Sequence, residues 1–441
     1  MSFGKLRTRV LLVLVLSMAM IVAVFGAGAA GEVITLRVLN YLDATAPGVE
    51  REINEIWGAF EKANPDIKII REDLYQEPFH QKVEAYAAAG QLPDVMYMWP
   101  GGRSATLYDK KLVKDLRPLL GEMAKEFVPA ALVPQRGGIL GEIPIGITAS
   151  HVMYVNKKML ADMKLDVPKT YNDLKAIAKK MKAAGKDTII MGYQDDWVGQ
   201  SCLFSMIVGR MCGDEFIDAC LAGKAKFTDK VFVNALKFYA NLYKDGVLSK
   251  KVLQTGYGEA PGLFAAGRAP FMIDGDWRVG AFLTDPTTKQ ALIPPADQPN
   301  FIMTIFPRIP GEKYHDLTSV VPGVGFGMNA NIPAGSAKEK AAWKLIMWLV
   351  SPEVQKIRLE TGAAFPSRIG VTSDKLEPLA QERARFYGRF KGCYVLDNVL
   401  DPKVYTPINI GLQEIGMGTS TPEKVAANVQ KALEAWRASS K

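Results

Sequence analysis

Three observations predict an α/β fold class arranged in more than one compact unit. The 441 residues are 48% hydrophobic and 23% charged, a globular composition that excludes both a disordered and a multispanning chain. At about 100–200 residues per domain, that length suggests two or three units, each with its own core. Past residue 31, short β-branched runs alternate with helical periodicities, which predicts mostly parallel sheets flanked by helices.

The first thirty residues stand apart from that pattern. Lys5, Arg7 and Arg9 precede an apolar run over 10–25, interrupted only by Ser17 and followed by Gly26-Ala27-Gly28-Ala29-Ala30. A basic stretch, an apolar stretch and small residues in that order form a secretory signal, with cleavage expected after Ala29 or Ala30. An uncleaved anchor is the alternative, because the run approaches the ~17-residue minimum for a span. No lipobox cysteine lies at the junction, so the mature chain is expected to be exported, soluble and periplasmic.

Residues 33–39 then read as a strand, closed by the turn-prone Asn40, Tyr41, Leu42 and Asp43. Val49, Ile53, Ile56, Trp57 and Phe60 fall on one helical face, stopped by Asn64-Pro65. A second strand over 67–70, a helix over 79–89 and a third strand over 94–99 follow, and Pro100-Gly101-Gly102 must turn tightly. In such sheets ligands bind beyond the carboxyl ends of the strands. Topology alone therefore nominates 40–43 and 99–103.

Several chemistries are excluded. Cys202, Cys212, Cys220 and Cys393 contain no C-x-x-C, and His80, His151 and His315 are scattered, so neither a metal site nor a cofactor is expected. A bridge between Cys212 and Cys220 is slightly favoured, since export permits one, although Cys202 and Cys212 lie in an apolar helix where buried thiols are common. The formal charge of +8 is spread along helical faces without a dense basic stripe, so no nucleic-acid partner is expected. Gly323-Val324-Gly325-Phe326-Gly327 lacks the third glycine spacing and the following helix of a dinucleotide loop.

Five ordered segments resemble the extracellular solute-binding proteins of family 1, the maltose-binding type receptors of sugar ABC importers. They are Phe60-Glu61-Lys62 with Asn64-Pro65, Gly90 with Pro93-Asp94-Val95, and Tyr154 with Asn156-Lys157 followed by Pro168-Lys169-Thr170-Tyr171. The fourth is Phe264 with Gly267 through Gly275 and Trp277; the fifth is Ala341-Ala342-Trp343 with Ser351-Pro352-Glu353 and Gln355. Ordered similarity around them runs from about Leu36 to Arg368. Tyr171 stands where the family usually has Trp, and Pro270 interrupts its commoner Ala-Met.

The resemblance implies a two-lobed, type II periplasmic-binding-protein fold whose lobes close over a ligand, joined by a hinge of two or three strands. Crossings are expected at 144–148 and 322–327. Lobe I would comprise 31–146 plus 326–386, and lobe II 147–325 plus 387–441. It also implies a carbohydrate ligand, delivery to ABC permease subunits, a monomer, and no catalysis.

A sugar needs aromatic faces for its C–H surface beside polar groups for its hydroxyls. Trp57, Trp343, Trp348 and Trp436 lie in helical patterns and read as core. Trp99, Trp197 and Trp277 end strands or sit in polar loops and read as stacking groups. With them go Asp276 and Asp196 as hydroxyl acceptors, Tyr41 and Asp43 after the first strand, and Gly325 in the second crossing. Arg368 resembles the family's P-x-R loop; Tyr405 and His151 are weaker candidates. Two rivals remain at this point: the same fold taking a polyamine, organic anion or peptide, and an exported glycoside hydrolase, which requires two carboxylates at a defined separation.

Overall fold

The computed structural model describes residues 33–439, so the expected signal at 1–30 lies outside the described residues. Two sheets dominate. The first runs Ile67–Leu74, Ile34–Tyr41, Val95–Met98, Gly325–Met328, Glu142–Pro144. The second runs Ile189–Ile190, Phe271–Asp274, Val152–Asn156, Phe301–Thr304. Each holds a single reversed strand. Gly325–Met328 lies antiparallel to both its neighbours, and so does Val152–Asn156. These are the strands that follow directly from a crossing between the lobes, entering each sheet from its hinge side.

The crossings themselves form a three-stranded sheet. Gly146–Ala149 is paired antiparallel by Val320–Pro322 on one side and by Phe365–Pro366 on the other. Two of these overlap the expected crossings. The third differs: helix Pro378–Tyr387 packs Leu379, Ala380 and Phe386 with Tyr154, Phe264 and Met303 of the second lobe. The chain thus returns to the second lobe ahead of this helix, not at 386. The C-terminal helices Pro402–Met417 and Pro422–Ser439 join the same lobe through Ile408, Leu412, Val429 and Leu433.

Hydrophobic burial holds each lobe. Leu36, Val38, Trp57, Phe60, Leu345 and Leu349 meet in the first core; Met153, Phe204, Phe232 and Tyr239 meet in the second. Trp343 and Trp348 pack on the former and Trp436 on the latter. The helix after the first strand departs from its predicted face, because its middle turn, Glu52–Gly58, is π-helical. The wider turn rotates the face, so Ile56, Trp57 and Phe60 are buried while Ile53 is 37% exposed.

The slightly favoured bridge does not form: all four cysteines are free and buried. Cys212 follows helix Ser205–Met211 and Cys220 lies within helix Asp214–Leu221, both in the second core. Burial pushes each thiol up to about 12, so both remain protonated and unreactive.

Candidate functional site

A cleft of about 890 Å³ lies between the lobes, lined by both and floored by the crossing strands through Gly146, Ile147, Val321 and Pro322. That volume is near the top of the usual range for ligand pockets. On the first lobe its wall is aromatic. Tyr41 ends the strand Ile34–Tyr41, and Trp99 follows Val95–Met98 directly. Both therefore sit at the carboxyl edge of the sheet, with ring centroids 4.9 Å apart and edge to face. Tyr75 and Tyr97 pack on Tyr41 at 5.0 and 5.6 Å, and His80 on Trp99 at 4.8 Å. Burial, assisted by Arg103, lowers the His80 pKa to about 4, so the ring is neutral at physiological pH.

The second lobe supplies a facing cluster. Trp197 opens the short helix Trp197–Gly199 and Trp277 lies in the 3₁₀ turns of Asp276–Phe282. Trp197 is 5.0 Å from Tyr257 and 6.4 Å from Trp277. Between the clusters lies Arg103, on the turn Gly101–Ser104. Its guanidinium carbon is 5.8 Å from the Trp99 ring and 5.5 Å from Trp197, and Nε is 3.7 Å from Asp397 Oδ2.

That turn needs its glycines. A Cβ on Gly102 would meet the Leu400 carbonyl at 2.1 Å and that of Asp397 at 2.5 Å, so backbone from the two lobes touches here. A second contact joins the lobes where Gly48 N donates to Asp285 Oδ2 at 2.8 Å. Carboxylates complete the lining: Asp43, Asp195 and Asp397. Asp43 Oδ1 accepts from Thr45 N and Oγ1, at 2.8 and 2.6 Å. Burial first, then the neighbouring Asp196, raises the Asp195 carboxyl.

Five of the predicted site residues line the cleft: Tyr41, Asp43, Trp99, Trp197 and Trp277. Asp196 is next to the lining Asp195 but outside the lining, its carboxyl raised by burial. The others are placed elsewhere. Asp276 is fully buried, its carboxylate accepting from Ala149 N at 3.1 Å, from Arg383 Nε at 2.7 Å and from the Tyr387 hydroxyl. It is therefore saturated by protein groups. Arg368 turns inward, donating to the Val350 carbonyl at 2.7 Å, pairing with Glu126 and lying 4.5 Å over the Phe127 ring.

Gly325 is buried in its strand, where a Cβ would strike the Ile143 carbonyl at 2.5 Å, so the glycine serves close strand packing. Tyr405 packs on the second core. His151 is fully buried, with Nδ1 2.6 Å from the Cys202 carbonyl and Nε2 accepting from Phe306 N at 3.1 Å. These two bonds fix its neutral tautomer, and burial lowers its pKa to about 3.

Sequence reasoning missed Arg278, Asp195, Tyr257 and Asp397 as lining residues. Arg278 and Asp195 are one residue from predicted positions, so their loops were found and their facing was not. Tyr257 and Asp397 carried no comparable signal. Among the described residues no group of three His, Cys, Asp or Glu side chains could hold a metal ion, and no helix is long and apolar enough to cross a membrane.

Residues 46–356 match the profile of the bacterial extracellular solute-binding protein family. A maltooligosaccharide ABC transporter solute-binding lipoprotein of Streptococcus pneumoniae serotype 4 is 24% identical over 329 residues, covering 73% of this chain and 70% of that protein. A galactooligosaccharide-binding protein of Bacillus subtilis is 22% identical over 380 residues, covering 84% and 83%. Among solved structures, a chitin oligosaccharide binding protein superposes with a TM-score of 0.79 at 23% identity, over 92% of this chain and 100% of that one. The chain belongs to the bacterial extracellular solute-binding protein family.

Proposed function

We propose that this member of the family is the extracytoplasmic receptor of an ABC importer, binding a neutral oligosaccharide of a few units and handing it to membrane permease subunits. The supporting observation is the pair of aromatic clusters, Tyr41 with Trp99 and Trp197 with Trp277, on facing walls of one large cleft. Two platforms on separate lobes suit two or more rings, and a ligand bridging them favours the closed form by its differential affinity. Asp43, Asp195, Arg103 and Arg278 then meet hydroxyl groups.

The mixed lining weighs against the rival solutes. A polyamine would face two guanidiniums, and an organic anion would face three carboxylates. On this reading the mature protein is exported after signal cleavage, acts as a monomer and performs no catalysis, the energy for import coming from a separate ATPase.

Titration calorimetry with malto-, galacto-, chito- and xylo-oligosaccharides, at low and high salt, tests the proposal. Binding of at least one series, with little salt dependence and the saccharide recovered intact, is expected. Silence with every saccharide but steeply salt-dependent binding of a polyamine overturns the ligand class. Shortened products identify a hydrolase.

A further inference from the structure

Beneath the Trp277 wall lies a buried network that neither the stacking role nor the hinge accounts for. Asp274 ends the strand Phe271–Asp274 and is fully buried. Its Oδ2 accepts from Arg278 Nε at 2.8 Å, and its Oδ1 accepts from Gly275 N at 2.7 Å and from the Tyr257 hydroxyl at 3.4 Å. The Tyr257 hydroxyl in turn accepts the Trp277 indole N–H at 2.6 Å. The Arg278 guanidinium lies 3.7 Å from the Tyr257 ring centroid and donates through Nη2 to the Tyr257 carbonyl at 3.3 Å.

Burial alone would favour the neutral form of Arg278, but Asp274 and then Tyr257 outweigh it and keep the group charged. Gly275 adds a steric condition. Its backbone is extended, yet a Cβ there would lie 2.2 Å from the six-membered edge of the Trp277 indole. The ring folds back over a position that no side chain can share.

The geometry points to Tyr257 and Asp274 as the positioning residues of the site. They lock the Trp277 ring and the Arg278 guanidinium into one rigid unit, in which Arg278 Nη1, without a hydrogen-bond partner among the described residues, is the donor that reads a hydroxyl of the bound sugar. Nε and one N–H of Nη2 are committed, which leaves Nη1 as the nitrogen with both its N–H bonds available to a ligand. A guanidinium fixed this way loses little freedom on binding. Because its charge is already balanced by Asp274, it favours a neutral hydroxyl over a carboxylate. A polar group held for one hydroxyl rejects an analogue lacking it, since the donor is then left unpaired.

This inference rests on the saccharide reading, and the test separates the two. In Tyr257→Phe the ring under Arg278 stays and only the hydroxyl goes. Ligand-free Tyr257→Phe should show altered tryptophan emission, and the change should vanish in a Trp277→Phe background. Its melting temperature should fall by only a few degrees, because the Trp277 N–H loses its acceptor while the ring packing is kept. The best oligosaccharide from the calorimetric panel should bind about 5- to 15-fold more weakly, as for an interaction of ordinary hydrogen-bond strength.

Arg278→Lys keeps the charge opposite Asp274 but loses the fork. It should bind that saccharide and its monodeoxy analogues with similar affinity, whereas the parent rejects one of them by 10-fold or more. Unchanged emission and unchanged affinity in Tyr257→Phe overturn the inference while the saccharide reading stands. If the parent binds no saccharide the reading falls, and the ligand-free emission still decides whether Tyr257 positions Trp277.

Discussion

Asp276 and Trp277 are adjacent in sequence and opposite in consequence, and Asp276→Asn exposes the difference. The Asp276 carboxylate is fully buried and joins three parts of the chain: Ala149 at the end of a crossing strand, and Arg383 and Tyr387 on the helix Pro378–Tyr387. Arg383 is itself 1% exposed and otherwise donates to the Gly362 carbonyl at 2.9 Å. Replacing the carboxylate with an amide leaves that guanidinium buried without a counter-charge. Breaking one side of a buried pair costs about 3–5 kcal/mol. For a lobe of this size each kcal/mol moves the midpoint by about 2–4 °C, so a drop of about 6–20 °C is expected in scanning calorimetry. Saccharide affinity, measured well below the transition, should change less than about threefold. A melting temperature within about 2 °C of the parent, together with lost binding, would refute the structural assignment and return Asp276 to the ligand.

Trp277→Ala should weigh on binding instead. Removing one ligand-facing ring face, about 80 Å² of apolar contact, costs about 2 kcal/mol or about 30-fold in Kd, and losing the face packed on the second core and the bond to Tyr257 lowers the melting temperature as well. Gly102→Ala places a Cβ against backbone carbonyls of the other lobe, so the lobes should fail to close fully; weaker ligand binding with a larger liganded radius of gyration by small-angle scattering is expected, and unaltered values would show that the two loops do not meet. Glu142 gives a pH signature. Burial raises its carboxyl from the ordinary 4.5 to about 8, against the lowering effect of the Tyr108 hydrogen bond. The folded chain therefore holds a proton that the unfolded chain releases near 4.5. The contribution of Glu142 to stability is fully present below that pH and is lost by about 1.4 kcal/mol per unit until about pH 8. In Glu142→Gln this loss disappears, so the variant's melting temperature should exceed the parent's at pH 8 by more than at pH 5, and a gap independent of pH would contradict the assignment.

Much of the architecture was legible because it rests on local signals. Residues 33–39 and 94–99 announced their strands through β-branched and apolar runs, and the rule that sites lie beyond strand ends located Tyr41, Asp43 and Trp99. What escaped depends on contacts distant in sequence. Nothing local to Asp276 distinguishes a turn carboxylate from one awaiting Arg383, and nothing near Arg368 foretells Glu126 and the Val350 carbonyl. The exposure of Ile53 follows from a π-turn that helical periodicity presumes absent. The third crossing was misplaced because Phe365–Pro366 is a two-residue strand, too short to leave a pattern.

The reversed strand in the first sheet also governs how the protein can fold. Gly325–Met328 lies between Val95–Met98 and Glu142–Pro144, so the sheet is not continuous until a segment from far along the chain has arrived. Closing so long a loop before its contacts reward it is slow, as for any topology of high contact order. A nascent chain emerging in order would present one free edge of Val95–Met98, and Glu142–Pro144 without its sheet partner, for most of its synthesis. The complete first-lobe sheet therefore forms only after residues 325–328 have been made, so the two lobes, which share the crossing strands, mature together rather than one after the other.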